Sequence, residues 1–376
     1  MSFDDSISRK DFIRKAGLVF GGTGLVTSGF PSLLLSSSKS KTSNGSNGKL
    51  GVALVGLGGY ATGQLAPALQ QTEHCELRGI VTGSPWKIPV WQDKYGIPDG
   101  NVYNYQTMSE IANNDDIDVI YIVLPPSMHA EYSIKAAETG KHVWCEKPMA
   151  MNEQECRSMI EAADNNGVQL TVGYRMQHEP NTQTIIRYGE NETYGTVQSV
   201  RAGAGYNGRP GPDSWRDDAE MGGGALYDMG VYAINGARYA TGLEPIAVRG
   251  RQWSERAVYS EVDEFTEFEL RFPEGVTATG ETSFGKSVNY LDVECTDGWY
   301  RLSPMQSYSG VQGETSDGTQ LRPCGCNQQA LQMDDDALAI KEGKAPIVPG
   351  EEGLRDIRIV RAIMESSENG QEWIEL

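Results

Sequence analysis

The 376-residue chain is short of basic charge and of clustered metal ligands. Lysine and arginine number 32 against 51 acidic residues, a net charge of -19. Such a surface repels a phosphate backbone instead of releasing its counterions, which excludes nucleic acid as a partner. The six cysteines (Cys75, Cys145, Cys156, Cys295, Cys324, Cys326) show no CxxC spacing, and the four histidines form no HExxH-like pattern. No structural or catalytic metal is expected. Cys324-Gly325-Cys326 has the spacing of a redox pair or metal clip, but two loop cysteines in a mostly reduced set read as inert. Long apolar runs are missing too. The stretch AGLVFGGTGLVTSGFPSLLL (16–35) is broken by glycines and too polar for a stable membrane span. With so few cations, any lysine or arginine near a glycine loop becomes informative.

The length suggests about two domains, and 39% apolar residues with 7 Trp and 17 Tyr fit a soluble globular protein. At the N-terminus, SRKDFIRK (8–15) precedes the weakly apolar stretch and then the polar run SSSKSKTSNGSNGK (36–49). Basic, apolar and polar regions in that order are those of an export signal. Ser8-Arg9-Lys10-Asp11-Phe12-Ile13 resembles a twin-arginine signal in which Lys10 replaces the second arginine. Residues 1–48 are therefore read as signal and linker, and a periplasmic location is expected. A membrane-tethered form and a cytoplasmic protein with an amphipathic arm are the alternatives.

From residue 49 the pattern changes. LGVALV (50–55) reads as a buried strand running into Gly56-Leu57-Gly58-Gly59-Tyr60-Ala61, which matches G-x-G-x-x-[GA]. Gly56 suits the tight turn, Gly58 leaves room for a pyrophosphate, and Ala61 permits close helix packing, with the phosphates at a helix N-terminus. Strand-like runs at 76–83, 117–125, 141–148 and 168–175 alternate with helical patterns, predicting a parallel, doubly wound sheet over 49–174. The second strand ends in Thr82-Gly83-Ser84 with Lys87 close behind, and no carboxylate awaits the ribose 2'-hydroxyl. Hydroxyls and a lysine suit the extra phosphate of NADP better than NAD.

Glu146-Lys147-Pro148 falls at the C-terminal end of a strand, the edge where open α/β sheets bind ligands. Proline fixes the exit. A lysine there can hold a substrate hydroxyl and, with a lowered pKa, share in proton transfer. Further on, MGGGALYDMGVYAINGARY (221–239) places Asp228 and Tyr232 one helical turn apart on one face. The glycines permit a tight helix start or a close approach to the nicotinamide. A phenol needs a neighbouring cation to work as an acid–base group at neutral pH, and Lys147 is the candidate.

Together these segments resemble the glucose-fructose oxidoreductase and inositol dehydrogenase (Gfo/Idh/MocA) family. The resemblance runs from Gly56–Ala61 through Leu124-Pro125-Pro126-Ser127-Met128-His129, Glu146-Lys147-Pro148-Met149-Ala150, Gly173-Tyr174-Arg175 and 221–239 to Pro349-Gly350-Glu351-Glu352-Gly353. Tyrosine at 232, where the wider family often has histidine, is like the glucose-fructose oxidoreductase branch. The resemblance implies a Rossmann domain and, over 175–376, an α+β domain with a large open, mostly antiparallel sheet used for homodimer or homotetramer assembly. The strands and helices legible after 175 agree with that, and the C-terminal helices at 328–342 and 351–368 pack on this body or return to the first domain. It also implies roles. Tyr232 becomes the proton donor and acceptor, Asp228 a substrate binder and Lys147 the group that orients the sugar hydroxyl. Tyr60, Tyr105, Leu124, Pro125, His129, Glu146, Arg175, Trp215 and Arg216 join Gly56, Gly58, Gly59, Ala61, Thr82, Gly83, Ser84 and Lys87 around the cofactor.

The function so implied is oxidation of an aldose to its lactone and reduction of a second sugar by retained NADP. A dehydrogenase with exchangeable cofactor and a non-catalytic nucleotide- or sugar-binding partner are the alternatives. The Gly/Pro-rich loop 203–221 departs from the family's pattern and bears on the choice of sugar.

Overall fold

Strand β1 (Leu50–Val55) is buried along its whole length, as expected of a strand covered on both faces. It lies within a six-stranded parallel sheet with β2 (Cys75–Val81), β3 (Val102–Tyr103), β4 (Val119–Ile122), β5 (His142–Cys145) and β6 (Leu170–Val172). The order is β3-β2-β1-β4-β5-β6, so the winding reverses between β1 and β4 and opens a crevice beyond their C-terminal ends. The computed structural model describes residues 48–208 and 214–376; the signal-like segment and residues 209–213 of the Gly/Pro-rich loop lie outside the described residues.

The helices that cover this sheet begin where their sequences provide caps. Pro126–Glu138 starts on a proline pair after β4. Glu153–Asn166 starts at Asn152, whose side chain accepts the Glu155 N–H, and ends on the left-handed Gly167.

The second sheet has nine strands: β7 (Val197–Gly205), β8 (Ala247–Trp253), β9 (Phe265–Arg271), β10 (Thr277–Ser283), β11 (Val288–Cys295), β12 (Trp299–Leu302), β13 (Gly313–Thr315), β14 (Gln320–Leu321) and β15 (Ile374–Glu375). Their order is β14-β13-β12-β11-β7-β10-β9-β8-β15. Pairing is antiparallel except between β7 and β10. Alternation decides the faces: in β9, Phe268 and Leu270 are buried while Glu267 and Arg271 are exposed. The inner face packs on helix Val231–Thr241, every residue of which is buried, and the outer face is strewn with charge.

The two C-terminal helices have different destinations. Gln328–Glu342 returns to the first domain, where Ala330, Met333, Ala337 and Ile340 enter the same core as Leu54, Ile80 and Trp144. Its Asp334 carboxylate accepts the backbone N–H groups of Glu73 and His74, at 2.9 and 2.7 Å. Gly350–Glu368 packs with Ile357, Val360 and Ile363 in the other core, beside β8 and helix Val231–Thr241. Cys324 and Cys326, expected to be inert loop thiols, are joined in a disulfide just before helix Gln328–Glu342. Among the described residues no helix is long and apolar enough to cross a membrane, and no group of three or more His, Cys, Asp or Glu side chains is placed to hold a metal.

Candidate active site

The glycine loop leaves β1 with Gly56 at φ +91°, and a Cβ there would lie 2.4 Å from the Val123 carbonyl oxygen. Only glycine fits both restraints. Gly58 and Gly59 are the opposite case: an added Cβ would meet nothing within 4 Å, so the loop borders open space in front of helix Ala61–Leu65. An open, glycine-floored helix start fits a nucleotide pyrophosphate. Lys87 closes one side by donating from Nζ to the Leu57 carbonyl at 2.7 Å. Thr82 is buried and its hydroxyl accepts the Ser84 N–H at 3.0 Å, so it shapes the turn, whereas Ser84 and Lys87 keep partial exposure. Gly83 lies against the Tyr105 ring, which packs on Tyr132.

At the end of β5, Glu146 is buried and Lys147 is partly buried, instead of the two forming a surface pair. Lys147 Nζ donates to the Asp228 backbone oxygen at 2.5 Å and lies 3.3 Å from Asp228 Oδ1. Arg216 Nε donates to Asp228 Oδ2 at 2.7 Å. Burial alone would push the Asp228 carboxyl up, but Lys147 and Arg216 outweigh it and hold it below the usual carboxylate range. For Lys147, burial opposes the charge, and the Tyr232 phenol, Asp228 and Glu146 more than offset it, so its pKa is raised. The sequence-based condition for proton sharing by Lys147, a lowered pKa, is therefore not met. Lys147 acts as a standing ammonium.

Its position brings the two segments together. Lys147 Nζ is 4.8 Å from the centre of the Tyr232 ring, and the Arg175 guanidinium is 5.4 Å from the same ring. Asp228, in the widened turn Leu226–Gly230, and Tyr232, in helix Val231–Thr241, thus converge on one lysine. The glycines before them make this possible through packing on protein. Gly222 has φ +82° and would meet Pro126 and Met151, while Gly224 has φ +104° and would meet Asp263 Oδ1. The room a side chain would need at these two glycines is taken by Pro126, Met151 and Asp263. Asp263 then caps the turn, accepting the Leu226 N–H at 2.9 Å.

Three of the residues expected around the cofactor have polar atoms engaged by protein. His129 is buried with Nδ1 2.8 Å from the Pro148 oxygen and Nε2 2.8 Å from the Leu124 oxygen; both ring nitrogens are engaged in joining the two loops. Arg175 turns inward, donating to the Ser307 oxygen at 2.9 Å and Gln306 Oε1 at 2.8 Å, and to Gln328. Glu146 Oε1 accepts the Tyr121 hydroxyl at 2.7 Å. Leu124 and Pro125 are partly buried just after β4, Trp215 stacks under Arg216 at 4.5 Å, and Tyr60 faces Tyr308 with ring centres 6.2 Å apart. Tyr308 and Tyr206 were missed by sequence reasoning, and both are large exposed side chains near the Arg216–Asp228 pair. Loop tyrosines without a motif give no signal of such a position.

Comparison with known proteins agrees with this layout. Residues 50–174 match the model of an oxidoreductase family with an NAD-binding Rossmann fold, and 182–301 match a GFO/IDH/MocA C-terminal domain. The chain is 29% identical over 342 residues to D-xylose 1-dehydrogenase [NADP(+)] of Haloarcula marismortui, covering 84% of this chain and 90% of that one. It superposes on aldose-aldose oxidoreductase from Caulobacter crescentus, solved with glycerol, with a TM-score of 0.84 and 35% identity over 87% of this chain and all (100%) of that one. Levoglucosan dehydrogenase in complex with NADH shares the fold, with a TM-score of 0.75 and 22% identity over 87% of this chain and 99% of that one.

Proposed function

Because the chain belongs to the GFO/IDH/MocA oxidoreductase family, we propose that it oxidises an aldose to its lactone and reduces a second sugar with one NADP that stays bound. The coarser activity, an NAD(P)-dependent oxidoreductase acting on sugar CH–OH groups, is common ground for this reading and the simpler one below. The observation that carries the proposal is the convergence of Lys147 and Arg175 on the Tyr232 ring beside the Asp228 carboxylate.

Gly56, Gly58, Gly59 and the start of helix Ala61–Leu65 would hold the pyrophosphate, with Ser84 and Lys87 at the adenosine end. When bound, NADP supplies the two-electron acceptor for the alcohol C–H and, once reduced, the donor for a carbonyl. Tyr232 takes the proton of the sugar hydroxyl during oxidation and returns one during reduction. Lys147 and Arg175 are the cations that meet negative charge developing on the phenol oxygen. Lys147 also orients the hydroxyl, and Asp228 aims Lys147 and accepts a second hydroxyl of the sugar. The end of β2 has Thr82, Gly83, Ser84 and Lys87 with no Asp or Glu, which supports NADP over NAD.

The test is to follow nicotinamide absorbance of the as-purified protein while aldoses are added singly and in pairs, then to denature it and assay released nucleotide. Protein isolated repeatedly without nucleotide, with sugar turnover only on added NADP, would replace this reading by a dehydrogenase with exchangeable cofactor. The xylose dehydrogenase relative favours that second reading.

We propose export to the periplasm from the twin-arginine-like segment. Retention of the cofactor suits a compartment with little free NADP. The outer face of the second sheet, with Arg201, Glu267, Arg271 and Arg301 exposed, is the proposed surface for self-association, in a salt-sensitive homodimer or homotetramer.

A further inference from the structure

Helix Gln328–Glu342 presents buried polar side chains to the back of the catalytic turn. Gln328, Gln329, Gln332 and Asp336 are each only 1% exposed. Buried polar groups are retained at little cost only where they are paired, and three of these pairings lead toward the active site. Gln328 accepts from Arg175, which lies under Tyr232. Gln329 Nε2 is 3.4 Å from the Tyr60 hydroxyl. Gln332 Nε2 donates to the Tyr121 hydroxyl at 3.2 Å, and Tyr121 donates to Glu146 Oε1 at 2.7 Å. The Glu146 carboxylate in turn accepts the backbone N–H of Lys147. It is pressed against Gly173, where a Cβ would lie 3.0 Å from Oε1.

We propose that Gln332 and Tyr121 are positioning residues, holding the Glu146 carboxylate as an anion against the Lys147 turn, so that a helix of the second domain sets the aim and counter-charge of the lysine in the first. The proposal rests on the reading of Lys147 as the group that orients the sugar hydroxyl. The geometry accounts for why a tyrosine and a glutamine fill an interior otherwise lined by Leu54, Trp144 and Met333. A hydroxyl held by an amide behind it has one free direction in which to donate, and Glu146 occupies it.

The groups facing Glu146 are Tyr121 from β4, Cys145 and Lys147 on its own segment, Arg175 after β6, Tyr60 from the glycine loop and Tyr308 from the loop after β12. Burial pushes the Glu146 carboxyl up to about 7, against the pull of Tyr121, Lys147 and Arg175. Protonation near neutral pH removes the counter-charge beside Lys147. The rate therefore has an acid limb governed by Glu146, and the Tyr121 hydrogen bond sets where that limb falls.

The experiment compares full-length wild type with Tyr121→Phe, Gln332→Met and Glu146→Gln. It measures sugar oxidation with NADP against pH and, separately, the infrared band of the protonated carboxyl that Glu146→Gln abolishes. Tyr121→Phe should move the midpoint of both curves up by about one unit, since it removes a hydrogen bond to the charged form. Its rate above the limb should stay within about twofold of wild type. Gln332→Met, close in volume, should shift the midpoint in the same direction by less. An unmoved infrared midpoint in both variants overturns the proposal, as does a loss of rate that is equal at every pH. An infrared shift in protein that turns over no sugar upholds the relay and overturns the enzymatic reading of the site.

Discussion

Replacing Arg238 by methionine should destabilise the helix that carries Tyr232, and by an amount that depends on pH. Arg238 is fully buried and its guanidinium serves three carboxylates. It donates to both Glu244 oxygens at 2.8 Å, to Glu352 Oε2 at 3.0 Å and to Asp356 Oδ1 at 2.6 Å. Glu244 is open enough to rehydrate, and Glu352 keeps Arg355 Nη1 at 2.8 Å. Asp356 is fully buried and keeps only neutral partners such as Asn235. Removing one side of a buried ion pair costs about 3–5 kcal/mol. For a domain of this size that corresponds to a fall in Tm on the order of 10 °C.

The pH dependence follows from Asp356, whose carboxyl burial pushes up to about 6 even with Arg238 present. A carboxyl raised in the folded state contributes stability fully present below the unfolded pKa, about 4, and lost as pH rises through the folded value. Without the guanidinium the folded value rises further. At pH 5 Asp356 then takes a proton and escapes most of the penalty; at pH 8 the ionised or strained form bears it. Calorimetric melting of wild type and Arg238→Met at the two pH values should therefore show roughly twice the loss at pH 8. A fall under about 2 °C at pH 8, or a larger fall at pH 5, would refute the reasoning.

Gly58→Ala should leave Tm unchanged or slightly raised, because its Cβ meets nothing, yet weaken NADP binding by about tenfold or more through the lost pyrophosphate space; fluorescence titration of NADPH checks it. Lys147→Met, which leaves Asp228 with Arg216 alone, should lower kcat by ~10³-fold while nucleotide binding persists; a loss under tenfold in steady-state assays would remove Lys147 from its role. Asp336 is buried among few polar groups, with Gln332 and His178 as the neighbours that favour its charge, and burial outweighs them and pushes its carboxyl up to about 7. Asp336→Asn should therefore stabilise by on the order of 4 kcal/mol at pH 8 and about 1.5 kcal/mol at pH 5, since the unfolded carboxyl ionises near pH 4 while the folded one resists; paired denaturant melts read the difference.

What was legible in the sequence is what repeats locally. The apolar run of β1 and the alternation along β9 announce their strands, and the chain breaks where the chemistry demands it. The stretch read as strand over 117–125 is strand over Val119–Ile122, with one more ladder bond from the Val123 N–H to the Val55 oxygen, and Pro125 and Pro126, which lack an N–H, keep the ladder from resuming beyond it. The two- and three-residue strands β13, β14 and β15 are too short to show a period. In the site, Lys147, Asp228 and Tyr232 stood out because spacing and turn residues mark them. The inward turn of His129 and Arg175 did not, since the partners that hold Arg175, Gln306, Ser307 and Gln328, lie more than a hundred residues away.

That division explains the triple glycine as well. Positive φ at Gly222 and Gly224 marks a turn no other residue adopts easily, yet it does not determine where the following helix points. The direction comes from carboxylates remote in sequence: Asp263 at the Leu226 N–H, and Asp356 and Glu352 on Arg238 near the other end. Negative charge at the helix start complements its dipole, while the buried Arg238 pairs tie its far end to helix Gly350–Glu368. Held at both ends, the helix keeps Tyr232 against Lys147, which belongs to the other domain. The proposed acid–base geometry is therefore a property of the domain interface, and changes in Asp263 or Arg238 should reach the proposed chemistry without touching a substrate.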